Sequence, residues 1–200
     1  MMVSTDTDRE HEDVLPIRNG VFIAVVGPSG AGKDTVIAHA RSVLAGEPNV
    51  EFVRRVITRP CDGMTEDHDT LDEAGFAKAL SRDAFPIAWR AHGLSYGLPA
   101  SVDRAVDKGQ VAVANVSRGV IDRLRERYLN VAVVEITASP EILAARLAGR
   151  ARETHAELLA RMARTVAAQP DGPNIVKIDN SGPKEVAGDE FVAVIRKAAA

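Results

Sequence analysis

The chain has 200 residues, 46% of them hydrophobic and 26% charged, with a formal net charge of −3. That length suits one domain burying ~70% of its unfolded surface without staples, and the single cysteine, Cys61, cannot make an internal disulfide and fits a reducing, cytoplasmic setting. No apolar run approaches the ~20 residues of a membrane span, the acidic start is unlike a secretory signal, and the near-neutral body argues against a nucleic-acid surface.

Residues 1–13 hold Asp6, Asp8, Glu10, Glu12 and Asp13 against Arg9, a net of −4 that leaves +1 for the rest, and residues 1–18 as a whole are polar and acidic. They show little periodicity and read as a disordered acidic tail. Val21–Val26 is a continuous apolar run, expected to be a buried strand. The stretch Gly27-Pro28-Ser29-Gly30-Ala31-Gly32-Lys33-Asp34-Thr35 follows, and a helix is expected from Lys33 to about Leu44, ending near Gly46 and Pro48. Strand, glycine-rich loop and helix make the setting of a phosphate-binding P-loop. Its backbone N–H groups would converge on phosphate at a helix N-terminus, with Lys33 reaching the β- and γ-phosphates. One position departs from the pattern: Asp34 stands where Ser or Thr ligates Mg²⁺, and Thr35 comes one later. A carboxylate there is a stronger Mg²⁺ ligand, but it repels phosphate unless a metal lies between them.

Further along, 52–57 reads as a second strand and 58–69 as a loop. Thr70 has capping-box spacing to Glu73 and opens a short helix to about Arg82. Residues 85–89 and 94–98 flank His92-Gly93 as a hairpin. A helix over 101–108, with Ser101 as its cap, is followed by a strand over 110–114 and a helix over 120–128. A very apolar strand over 131–136 and a helix from Pro140 to about Gly149 come next. Residues 150–169 are charged and mostly helical, and a last strand over 174–178 leads to a last helix over 185–198. This alternation implies an α/β, doubly wound parallel five-stranded sheet of P-loop NTPase type. Residues 19–200 would form one domain: a core of 19–51 and 100–200, a substrate-binding insertion over about 52–99, and a helical lid over about 146–168.

The P-loop, then Ile57-Thr58-Arg59-Pro60, then Tyr96-Gly97, resembles the guanylate kinase superfamily. The chain is more similar to the ribose 1,5-bisphosphate phosphokinase family: in the acid after the P-loop lysine, in Arg55 to Arg59, in Trp89 with 92–97, in Ser117-Arg118, in 139–143, in Arg146-Leu147, Gly149-Arg150 and Arg152-Glu153, and in 180–182. That resemblance covers about residues 20–183. It implies ATP-dependent phosphorylation of ribose 1,5-bisphosphate to 5-phosphoribosyl 1-diphosphate and ADP, with Mg²⁺, in phosphonate breakdown. The implied partner is a small sugar phosphate, with neither nucleic acid nor membrane, and the oligomeric state is not given. Guanylate kinase and a non-catalytic guanylate-kinase-like binding module remain as rivals. Against the first, 62–69 lacks a Gly-x-Asp-Tyr pattern; against the second, Gly32 and Lys33 are intact.

Phosphoryl transfer needs positioning and charge neutralisation more than a dedicated base. The catalytic candidates are therefore Lys33, Arg150 and Arg152. Gly27 to Thr35, with Arg146 and Asn180, are assigned to ATP, and Asp34 and Thr35 to the metal. Arg55 and Arg59, four apart on an extended strand, would share a face and offer guanidinium forks to an acceptor phosphate. Tyr96, Asn115, Ser117 and Arg118 complete the acceptor set, the last three lying just past a strand's C-terminal end, where doubly wound sheets bind ligand. Alternatives stay open: Ser117 as a helix cap, Tyr96 as a core aromatic, His92 as a turn residue, and Arg146, Arg150 and Arg152 as solvated helix arginines paired with Glu141 or Glu153. The strand ending at Asn115 lacks the acid that often serves the metal, and Asp34 is read as restoring that charge.

Overall fold

A computed structural model describes residues 15–59, 68–148, 170 and 172–200. The apolar run forms β1 (Val21–Val26), and the P-loop leads into α1 (Lys33–Val43). Next come β2 (Val50–Phe52), β3 (Val56–Ile57), β4 (Asp69–Thr70), α2 (Glu73–Leu80), β5 (Ile87–Ala91), β6 (Leu94–Leu98) and α3 (Ser101–Asp107). The second half holds β7 (Val111–Asn115), α4 (Ile121–Arg127), β8 (Val131–Thr137), α5 (Pro140–Ala148), β9 (Ile175–Asp179) and α6 (Lys184–Ala199). Among the described residues no helix is long and apolar enough to cross a membrane.

The main sheet has the order β2-β7-β1-β8-β9 and is parallel throughout. Alternating side chains of the central β1 feed two cores. Phe22, Ala24 and Val26 pack with Leu98, Val102, Leu124 and Tyr128 on one face. Ile23 and Val25 pack with Val36, Ala40, Phe191 and Ile195 on the other. Helices therefore cover both faces, as an all-parallel apolar sheet requires. From β1 the chain goes to β2 and β7 on one side and later to β8 and β9 on the other, so ligand is expected at the C-terminal ends beside β1. A second sheet, ordered β4-β3-β6-β5, has its own small core of Val56, Phe76 and Phe85.

Several expectations differ in detail. The strand over 52–57 divides between two sheets: Val53 N–H still bonds to the Val113 carbonyl of the main sheet, while Val56 already pairs with Gly97 of the second. Part of the loop over 58–69 is strand, since Asp69 pairs with Val56. The cap of α2 is Asp72, whose carboxylate accepts from Gly75 N–H at 2.6 Å; the Thr70 hydroxyl donates instead to the Arg59 carbonyl. Ser101 lies within α3 rather than capping it, and α4 follows a 3₁₀ turn over Arg118–Val120. The hairpin turn is formed by His92 and Gly93 at φ 51° and 73°, the left-handed pair that a two-residue hairpin needs. Ile17, assigned to the tail, exchanges backbone bonds with Arg127 and Leu129, while residues 1–14 of that tail lie outside the described residues.

Beneath the sheet's N-terminal edge, Tyr128 stacks on Phe22 at 5.1 Å and donates its hydroxyl to Asp103 at 2.7 Å. Arg127 grips the same carboxylate with Nε at 2.8 Å and with Nη2. Burial, followed by the Asp103 hydrogen bond and charge, pushes the Tyr128 phenol well above its ordinary value, so it remains a donor. Asp103→Ala leaves a buried hydroxyl and a guanidinium without their acceptor. It is expected to cost ~2–4 kcal/mol in urea unfolding, against ~1 kcal/mol for Tyr128→Phe.

Candidate active site

The P-loop leaves β1 through Gly27 at φ 148°, where a Cβ would run into the Ile136 carbonyl of β8. Gly32, at φ 85°, is the N-cap of α1 and offers no side-chain cap to the first turn. A Cβ there would strike the Asn180 amide, so glycine is required twice over, by backbone conformation and by close approach. Lys33 Nζ donates to the Gly27 and Pro28 carbonyls at 2.9 and 3.0 Å. Asn180, 2% exposed, donates from Nδ2 to the Ala31 carbonyl at 2.7 Å. Arg146, in the last turn of α5, donates from Nη2 to the Asn180 carbonyl at 2.9 Å and from Nη1, at 3.4 Å each, to Gly30 and Ala31. The loop's carbonyls are thus held by cations and an amide, while the uncapped N-terminus of α1 faces a cavity of about 390 Å³. Ser29, Lys33, Thr35, Arg146, Asn180 and Lys184 all reach that cavity. Such a cradle of backbone donors and cations matches polyphosphate.

Asp34 and Thr35 lie exposed on the first turn of α1. Asn115, the last residue of β7, donates from Nδ2 to Asp34 Oδ1 at 2.9 Å. The two positions whose departures complement each other in the sequence are therefore in contact. Among the described residues no three His, Cys, Asp or Glu gather as a metal cage. Mg²⁺ does not need one, since it takes one or two carboxylates with substrate phosphates and waters.

The acceptor candidates divide. Arg55, 7% exposed, lies with its guanidinium 5.2 Å from the Tyr96 ring and 6.0 Å from Trp89. Tyr96 and Trp89 are cross-strand partners, stacked at 5.3 Å. Arg54 points away to Asp69 at 2.8 Å. Because β3 is only two residues long, the shared strand face of Arg55 and Arg59 is not continuous extended backbone. The Arg59 segment is held by its carbonyl, which accepts from Thr70 and faces His68 Nε2 at 3.3 Å. Ser117 precedes the 3₁₀ turn without a side-chain cap bond. Arg118 reaches over the end of β1 to β8, where its Nη2 meets Glu135 at 2.9 Å. Lys177 approaches the same carboxylate at 3.7 Å. Arg150 and Arg152, with most of the stretch expected to form a lid, lie outside the described residues, as do 62–67.

Sequence reasoning missed Glu135, His68 and Lys184. Glu135 carried a signal: one acid inside an otherwise apolar strand must find a cation when it is buried. His68, 2% exposed, sat in a stretch read only as loop.

No family model matches the chain. It is 49% identical over 203 residues to the ribose 1,5-bisphosphate phosphokinase PhnN of Chelativorans sp. (strain BNC1), covering 100% of this chain and 96% of that one. The protein of the same name from Brucella melitensis biotype 2 is 51% identical over 163 residues, 82% of this chain and 85% of its own. Among solved structures, guanylate kinase from Anaplasma phagocytophilum aligns over 89% of this chain and 85% of its own, with a TM-score of 0.58 at 21% identity, a likeness of fold.

Arg146 contacts three carbonyls around the loop, so Arg146→Ala is expected to lower the melting temperature by ~4 °C, the scale for ~1–2 kcal/mol in a domain of this size. Nucleotide affinity by calorimetry should fall in parallel. Arg146→Lys keeps the charge but not the fork, and is expected to recover only part of both.

Proposed function

The chain belongs to the ribose 1,5-bisphosphate phosphokinase family, and on that premise we propose that it transfers the γ-phosphoryl group of ATP to the C1 phosphate of ribose 1,5-bisphosphate. An oxygen of that phosphate attacks the γ-phosphorus, the bond to the β,γ-bridging oxygen breaks, and 5-phosphoribosyl 1-diphosphate and ADP leave. The attacking oxygen is already anionic at neutral pH, so the protein supplies position and charge rather than a base. The observation that carries this reading is the identity of about one half with two phosphokinases, over 100% and 82% of the chain.

The site supports it piece by piece. Lys33 and the uncapped turn of α1 suit the β- and γ-phosphates. Arg146 and Asn180 suit the rest of the nucleotide, since both border the cavity. Asp34 and Thr35 would hold Mg²⁺, with Asn115 orienting the Asp34 carboxylate. When bound, Mg²⁺ neutralises charge on the transferring phosphate. Arg55, Arg59, Tyr96, Ser117 and Arg118 are assigned to the acceptor, and Arg150 and Arg152 to closure over ATP. Guanylate kinase activity is not favoured: the solved guanylate kinase shares the fold at 21% identity, whereas the phosphokinases share about half of all residues.

Two measurements test this. ADP release with ribose 1,5-bisphosphate and with GMP, run in parallel, should show turnover on the sugar, falling at least ~100-fold in Lys33→Ala; turnover on GMP alone overturns the reading. Asp34→Ser should raise the Mg²⁺ concentration needed for half-maximal rate by ~10-fold, the loss expected when a charged ligand becomes neutral. An unchanged Mg²⁺ titration removes Asp34 from the metal site.

A further inference from the structure

Trp89 is the chain's single tryptophan. It lies at the centre of β5, packs partly against the main core, and stacks on Tyr96 with the ring planes 7° apart. The Arg55 guanidinium lies over both rings. The indole N–H is enclosed by protein and has no hydrogen-bond acceptor. An enclosed donor without a partner costs stability, and indole is a donor only, so oxygen is what would satisfy it. The indole fills more of the core than a phenyl ring would, but packing supplies no partner for its N–H. With Tyr96 and Arg55 against it, the ring is also a poor platform for stacking a nucleobase.

We propose that Trp89 is a specificity-determining residue of the acceptor site, its indole N–H donating to an oxygen of the sugar phosphate once Arg55 moves from the rings to an acceptor phosphate. This rests on the sugar kinase reading above. Charge-assisted hydrogen bonds to phosphate are stronger than a cation–π contact, and they are what would draw the guanidinium off the rings. In the proposed step its departure gives the ligand that drew it away access to the indole N–H. The same movement changes the surroundings of the only tryptophan, which makes the step visible without turnover.

The test combines emission and kinetics. Titrating the wild-type chain with ribose 1,5-bisphosphate, without ATP, should change tryptophan emission saturably, whereas ATP alone should leave it unchanged. Trp89→Phe should raise KM for ribose 1,5-bisphosphate ~10-fold, as loss of one hydrogen bond to a charged ligand does. KM for ATP should stay within about twofold, and the melting temperature should move by only a few degrees, because relief of the enclosed donor offsets part of the volume lost from indole to phenyl. A flat emission titration overturns the proposal even if the variant does not fold. So does a variant whose KM for the sugar is unchanged, or one whose two KM values rise together as the melting temperature falls. Wild-type protein that does not phosphorylate ribose 1,5-bisphosphate at all fails at an earlier step and overturns the kinase reading instead.

Discussion

A loop can present its amides to a ligand only if something else holds its carbonyls. Here that task is shared by side chains from three distant places in the sequence. Lys33 holds the Gly27 and Pro28 carbonyls, Asn180 holds Ala31, and Arg146 spans Gly30, Ala31 and Asn180. Gly27 and Gly32 let the backbone follow that path, and each sits against a neighbour that leaves no space for a Cβ. The position of α1, the opening of the cavity and the approach of α5 to β9 all follow from this arrangement. The sheet supplies the platform, since β1 is buried on both faces and flanked by β7 and β8, so the loop leaves from a rigid strand end.

Charge is placed with similar economy. Asp34 and Asn115 face each other across the gap between α1 and β7, so the carboxylate sits on the helix and the amide on the strand. On the opposite face of the sheet, Glu135 gathers Arg118 and Lys177, leaving one net positive charge beside the strand ends. A buried carboxylate beneath an arginine is stable only when its geometry is satisfied, and it fixes where that arginine can lie.

The main sheet was legible because its signals are local: apolar runs of strand length, glycine spacing after β1, and helices between strands. The P-loop lysine and Asp34 were equally legible, since both are defined by offsets within nine residues. The division between β2 and β3 was not, because Phe52-Val53 and Val56-Ile57 are both strand-like and no glycine or proline between them marks a change of sheet. The cap of α2 moved from Thr70 to Asp72 because Thr70 is claimed by Arg59 across the second sheet. Arg146 was read as part of a lid, yet its described contacts are to backbone carbonyls of the loop and of Asn180, partners more than thirty residues away that no sequence pattern announces.

The main sheet's last bond on this side is Val53 to Val113, and the second sheet begins with Val56 paired to Gly97. Only Arg54 and Arg55 lie between these anchors. One is tied to Asp69 of the second sheet, and the other rests on that sheet's aromatic pair. This joint between the two sheets and the arginine proposed for the acceptor are therefore the same piece of chain. Any rotation of the smaller sheet turns Arg55 with it, and any pull on Arg55 is a torque on the smaller sheet. In the role proposed for Arg55, capture of the acceptor and the angle of the smaller sheet are coupled through this joint.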